Sequence, residues 1–378
     1  MLQVVFALVV MLASGGAALA EQTRAPAAPK SPYRVTVVAR GLEHPWGLQF
    51  LDGGRLLVTE RPGRLRIVTR DGQISPPVDG VPEVAAEGQG GLLDVALAPD
   101  FAATREIVLS FSEPRGGRAN ATAVATGKLV ERGGRARLDG VKVIFRQEPA
   151  GSGGLHFGSR LAFARDGTLF VTLGERFVMA TAQDLTRHWG KVVRISGDGA
   201  IPAGNPFAGR ADARPEIWSY GHRNPQAAAI HPATGRLWVV EHGPRGGDEI
   251  NVPRAGRNYG WPVIGYGIDY SGARLHSGTH KDGMEQPIYY WVPSIAPSGM
   301  AFYTGDLFAQ WKGNLFVGAL AGRALHRLVL DGETVVAEDV LLKERGARIR
   351  DVRQGPDGAL WLLTDDGDAE VLRLTPGE

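Results

Sequence analysis

Apolar residues along this chain come in short runs cut by Asp-Gly, Gly-x or Pro-containing turns, and one phrase of that kind returns six times. It consists of a small or turn residue, an apolar run, a turn and a few β-favouring residues. The copies occupy residues 46–60, 91–110, 159–172, 225–241, 298–318 and 349–364. Each reads as two strands joined by a tight turn. Most are followed by a third strand, as at 63–68, 190–195 and 324–330. The copies lie roughly 45–75 residues apart, a spacing that suits propeller blades carrying loop insertions. No long stretch of 3.6-residue periodicity competes with them. The pattern predicts an all-β chain folded as a six-bladed β-propeller over residues 33–378. Two packed β-sandwiches are the alternative, but regular recurrence with insertions at matching points favours a ring. Loops at one end of a ring converge on its channel. The inserted segments 87–91, 150–160 and 220–269 are therefore where chemistry is expected.

Composition adds to this picture at three points. Gly 52 and Pro 24 make up about a fifth of the 378 residues without a collagen-like period, as many tight turns require. Cysteine is absent, which removes disulfides, thiol catalysis and thiolate metal sites. The formal net charge is +2 with both signs mixed along the chain, and no basic block interleaved with aromatics supports nucleic-acid binding.

The amino terminus forms a separate module. Residues 2–12 are an almost unbroken apolar run, followed by small residues ending Ala18-Leu19-Ala20. This reads as a cleaved signal peptide over residues 1–20, although no Lys or Arg precedes the apolar run. The run is too short to span a bilayer, so no membrane span is expected and the chain is placed in the periplasm or outside the cell. Residues 21–32, rich in Ala and Pro, are expected to form a disordered leader.

Several loops carry reactive side chains. His156 sits in a Gly-rich loop just before a core strand, where an imidazole can serve as a general base. Glu175 ends the next strand of the same hairpin and could fix the imidazole tautomer. A purely structural histidine is the alternative. Residues 220–225 place Arg223, a planar fork for a carboxylate or quinone oxygen, beside Asn224, which both donates and accepts. The same residues could form an inter-blade hydrogen-bond plug. The segment 241–262 is rich in carboxylates, Asn and free carbonyls near Gly and Pro, donors that suit calcium, although the spacing is not that of an EF-hand. Gln89 is a polar hand in a glycine loop with no following helix, so it is not a phosphate loop. Arg348 and Arg350 flank Ile349 at a strand start, on one face of it or in solvent.

Taken together and in order, these stretches resemble the soluble quinoprotein glucose dehydrogenase family, most closely its aldose sugar dehydrogenase branch. The matching segments are GQGGL (88–92) with PDF (99–101), HFGSRL (156–161), GHRNPQ (221–226), EHGP (241–244), DEIN (248–251), NYGWP (258–262), IAPS (295–298) and RIRDV (348–352). The resemblance runs from about residue 34 to the end. It implies a propeller binding pyrroloquinoline quinone (PQQ) and calcium. It also implies oxidation of aldoses at the anomeric carbon to aldonolactones, with electrons passed to an external acceptor. By matching position His156 is the general base and Glu175 its supporting carboxylate. Gln89, Arg223, Asn224, Arg348 and Arg350 hold the cofactor, with Arg223 also stabilising charge on the quinone oxygen. The carbonyls of Gly243 and Pro244 bind the calcium at the quinone, and Glu249 and Tyr259 mark a second, structural calcium site.

Two departures from the family pattern stand out. The Lys that the glucose dehydrogenases place against the cofactor has no counterpart in residues 318–323, where Arg323 is the nearest candidate. The aromatic that covers the sugar falls on Val292, beside Trp291. Two other readings share the fold: a calcium-dependent lactonase, and a non-catalytic propeller that binds sugars or proteins.

Overall fold

The computed structural model describes residues 25–377, so the expected signal peptide lies outside the described residues. Six antiparallel sheets are arranged in sequence order. The innermost strands are Pro45–Phe50, Leu92–Leu97, Gly158–Phe163, Pro225–Ile230, Pro297–Phe302 and Ile349–Gln354, each packed against the next, with the last against the first. The chain is an all-β, six-bladed propeller. The six sequence phrases supply the first two strands of blades 1 to 6. In blade 2 the first two strands are joined by a short helical turn, Phe101–Thr104, rather than a tight β-turn.

Ring closure is made by distant segments. The outer strand of blade 6 is the N-terminal strand Tyr33–Leu42, paired antiparallel with Ala369–Pro376. Blade 1 has three strands, and blade 2 carries the long hairpin Ala119–Arg132 with Arg135–Arg146. Six apolar clusters each fill the gap between one blade and the next. Leu57 packs with Leu92 between blades 1 and 2, for example, and Trp238 packs with Met300 between blades 4 and 5. At roughly 25 cal/mol per Å² of buried apolar surface, these interfaces hold the ring without cross-links.

Residues 25–32 correct the expectation of a disordered leader. Ala27 bridges to Glu338 on the outer strand of blade 5, Ala28 N donates to Glu338 O at 2.8 Å, and Glu338 N donates to Pro26 O at 2.9 Å. Arg327 also donates to the Pro29 carbonyl. A Pro-rich segment cannot form a full ladder, yet its free carbonyls cap an open sheet edge. Among the described residues no helix is long and apolar enough to cross a membrane.

Two features set up the channel. Every innermost strand has a register shift in its first residues, as between Gly158 and Leu161 or Pro225 and Ala227. A bulge there re-aims side chains at the mouth of the ring. Deeper, Arg160 of blade 3 bonds Asp94 of blade 2 at 2.9 Å and approaches Asp351 of blade 6 at 3.2 Å. Arg353 of blade 6 reaches back to Asp94 at 3.4 Å. These buried ion pairs cross the channel and give it a charged floor rather than an apolar plug. Gly299 is needed beside them, because a Cβ there would lie 2.3 Å from Asp351 Oδ1.

Candidate active site

His156 and Glu175 meet because blade 3's first two strands run antiparallel, which brings the residue before one to the end of the other. Nδ1 of His156 lies 2.9 Å from Glu175 Oε1, and both side chains are buried. An ionised carboxylate accepts, so Nδ1 carries the proton and Nε2 presents its lone pair. Nε2 has no hydrogen-bond partner among the described residues, and Glu175 Oε2 is buried without one. The His156 backbone is left-handed at φ 52°, a conformation that costs a side-chain-bearing residue about 1 kcal/mol or more and is found at sites that need it. Three contacts hold it there. Its N–H donates to Gln89 Oε1 at 3.0 Å, its ring meets Phe177 edge-on at 5.2 Å, and Gly174 leaves room for its carbonyl. A Cβ on Gly174 would come within 2.1 Å of that oxygen. Burial, and then the Arg223 charge, push the His156 pKa below 6.5, while the bond to Glu175 pulls it up.

Blade 4 supplies the guanidinium. The Arg223 carbonyl accepts from Glu175 N at 2.9 Å, which ties blades 3 and 4 together at this point. Its side chain is buried, donates from Nη1 to the Gly243 carbonyl at 2.9 Å, and reaches Tyr270 Oη at 3.2 Å, with Nε unpartnered. Asn224 accepts from Gly158 N at 3.0 Å through Oδ1. Blade 6 adds Arg348 and Arg350, which share Asp365 Oδ2 at 3.1 and 2.9 Å; Arg350 also donates to Gln226 at 2.9 Å. Those two guanidiniums hold the Asp365 carboxyl well below the usual carboxylate range. Gln89, Arg348 and Arg350 line one cavity of about 140 Å³ together with Trp46, Arg61, Gln226, His242, Leu320 and Asp365. A surface groove of about 640 Å³ at the outer edge of blades 1 and 2 contains none of the expected site residues.

Six residues anticipated near metal or substrate have particular environments. The Gly243 carbonyl already accepts from Arg223 and has one lone pair left. Pro244 and Glu249 line a small neighbouring cavity with Glu241, Tyr259 and Tyr266. Burial and the adjacent Glu241 push the Glu249 carboxyl up to about 8. The Tyr259 hydroxyl donates to Val252 O at 2.6 Å and accepts from Arg254 N at 2.9 Å, so it faces away from that cavity's carboxylates. Trp291 is locked to Glu338 at 2.9 Å inside the blade 4–5 interface, and Val292 packs toward Gly246.

Arg61 and His242 were not singled out from the sequence. Both directly follow the second strand of a blade, as do Leu320 and Asp365, and all four line the same cavity. That shared position in the repeat is the signal that could have found them. His242 Nε2 is buried without a partner, and burial beside Arg223 drives its pKa well below 6.5.

A family model described as Glucose / Sorbosone dehydrogenase matches residues 42–373. The chain belongs to that family. It is 48% identical over 345 residues to the aldose sugar dehydrogenase YliI of Escherichia coli strain K12, covering 90% of this chain and 92% of that protein. A crystal structure of a glucose dehydrogenase superposes with a TM-score of 0.88 at 53% identity, over 91% of this chain and 99% of that one. The PQQ-bound aldose sugar dehydrogenase of Streptomyces coelicolor superposes with a TM-score of 0.74 at 31% identity, over 92% and 99% of the two chains. Family members of this kind are sugar-oxidising enzymes, and the present chain keeps the whole ring in which that chemistry is built.

Proposed function

We propose that this enzyme oxidises aldose sugars at the anomeric carbon to aldonolactones, using PQQ and calcium, with His156 as the general base. The observation that carries the reading is the oriented pair of His156 and Glu175, with an open Nε2, in the same channel mouth as an arginine-rich cavity. The residues present fit a planar, anionic quinone. Arg223 Nε, Arg350 Nε and His242 Nε2 are buried polar atoms without partners, and the cavity holds more guanidiniums than carboxylates. Gln89, Asn224, Arg223, Arg348 and Arg350 would hold it. For calcium, the free lone pair of Gly243 O, the Pro244 carbonyl and the acid-lined cavity at Glu249 supply hard oxygens. Tyr259 would have to contribute its main-chain carbonyl rather than its hydroxyl. Bound there, the quinone would supply the two-electron acceptor and the calcium a Lewis acid.

The protein's part follows from its own atoms. Glu175 keeps the proton on Nδ1, so Nε2 is the acceptor for the proton of the anomeric hydroxyl. Arg223, fixed between blades, places positive charge where negative charge develops. Burial of the pair excludes water and strengthens both effects. Phe177, 53% exposed and edge-on to His156, gives the mouth an apolar lip suited to a sugar ring. We further propose export through the 1–20 segment, with an external electron acceptor reoxidising the enzyme.

The deciding experiment adds PQQ and calcium to the purified apoprotein and follows reduction of a redox dye across a panel of aldoses. Sugar-dependent reduction needing both additions is expected. Lactone hydrolysis without dye reduction, or sugar binding without turnover, would overturn the reading.

A further inference from the structure

The 140 Å³ cavity is cationic beyond what the protein itself balances. Arg61, Arg348 and Arg350 line it, and Asp365 is the carboxylate they share the space with. Arg348 and Arg350 both bond that one group, whereas Arg61 has no carboxylate partner among the described residues. Its Nη1 donates to the Gly88 carbonyl at 2.6 Å, and its Nε is buried with no partner at all. Arg350 is 6% exposed, and its Nε is likewise unpartnered. Guanidiniums gathered in one cleft with unused donors call for an anion, and their planar fork fits a carboxylate best. A neutral aldose offers none. Arg323 does not meet this need, since it is exposed on the rim with Nη1 on Gly346 O at 2.7 Å, lining a separate groove on the outer side of Arg348.

We propose that Arg61, at the end of blade 1's second strand, is a carboxylate-binding residue for the quinone cofactor and completes a three-arginine clamp with Arg348 and Arg350. The proposal rests on the PQQ reading above. It assigns to blade 1 the cation that residues 318–323 of blade 5 lack. The Gly88 contact also preorganises it, because Gly88 precedes Gln89, whose side chain holds His156.

The test is equilibrium binding of PQQ and of its trimethyl ester to calcium-loaded apoprotein, read by quenching of tryptophan fluorescence, for wild type, Arg61→Gln, Arg61→Lys and Arg323→Gln. Loss of a charge-assisted pair predicts PQQ binding at least about tenfold weaker in Arg61→Gln. Arg61→Lys should retain part of the affinity, and Arg323→Gln should stay within about twofold of wild type. The decisive quantity is the preference for the acid over the ester, which should fall in Arg61→Gln about as far as the affinity does. A merely structural loss would weaken both ligands together and leave that ratio unchanged, which overturns the proposal. If Arg61→Gln does not fold, an acid-to-ester ratio in Arg61→Lys equal to wild type overturns it just as well. Wild-type protein that binds neither ligand would instead sink the cofactor reading itself.

Discussion

Blades 3 and 4 each contain a histidine paired with a glutamate nineteen residues later, and the two pairs differ in what they leave unsatisfied. In both, the His precedes the innermost strand and the Glu stands at or just beyond the end of the second. The Nδ1-to-carboxylate distances match, at 2.9 Å for His156–Glu175 and 2.8 Å for His222–Glu241. Beyond that bond the pairs diverge. His222 Nε2 is 2.9 Å from Ser219 Oγ, and its ring stacks on Tyr259 at 4.9 Å. Glu241 accepts from Arg223 N at 2.7 Å and from Asn251 at 3.1 Å. Every strong donor and acceptor in blade 4's pair is used, which makes it a strut under Arg223. Blade 3's pair keeps Nε2 and one carboxylate oxygen open. The same local construction serves as scaffold in one blade and as machinery in the next, and the difference lies in the neighbours.

Replacing the two imidazoles separates these roles most sharply. His156→Ala should lower turnover by about 10²–10⁴-fold, the range for loss of a general base, while PQQ still binds. Steady-state kinetics beside a PQQ titration check it, and unchanged turnover would remove His156 from the chemistry. His222→Ala should do the opposite. It strips a buried carboxylate of a partner and opens a gap beside Tyr259, costing about 2–3 kcal/mol in denaturant unfolding. Turnover per folded molecule should change by no more than about threefold. A catalytic loss in His222→Ala comparable to that in His156→Ala would erase the distinction.

The fold was legible because its signals are local. Turn residues and two-residue alternation mark each hairpin wherever it sits, so six phrases gave six blades. What joins the ends was not legible. Nothing in residues 33–42 names 369–376 as partner, and the sheet edge that holds residues 25–32 belongs to a blade some three hundred positions away. The site divides the same way. His156 and Glu175 could be paired from one hairpin, and the family resemblance drew attention to Arg223, Arg348 and Arg350. Arg61 lies in no motif and His242 passed unremarked inside EHGP, and only ring closure brings blade 1 and blade 4 to one cavity. Tyr259 shows the limit from the other side: the resemblance marks its position for a calcium site, and only the structure shows its hydroxyl spent on Val252.

A finer contrast is available in the two glutamates, through pH. His156 works as a base when neutral, and its pKa lies below 6.5 chiefly because the ring is buried and secondarily because Arg223 is near. The acid limb of kcat/KM should therefore fall below pH 6.5, with the base competent above it. Glu175 acts against those influences and raises the pKa. Glu175→Gln removes the raising influence, so the limb should move to still lower pH even as the plateau rate drops about 10–100-fold. The rate drops because an amide can donate to Nδ1 as well as accept from it, which lets the proton settle on Nε2 and blocks the base. Glu241→Gln, in the strut pair, should leave the limb where it is. Should the limb rise in Glu175→Gln, or shift equally in both variants, the carboxylate of blade 3 is not orienting the imidazole, and the two pairs are alike in function as well as in form.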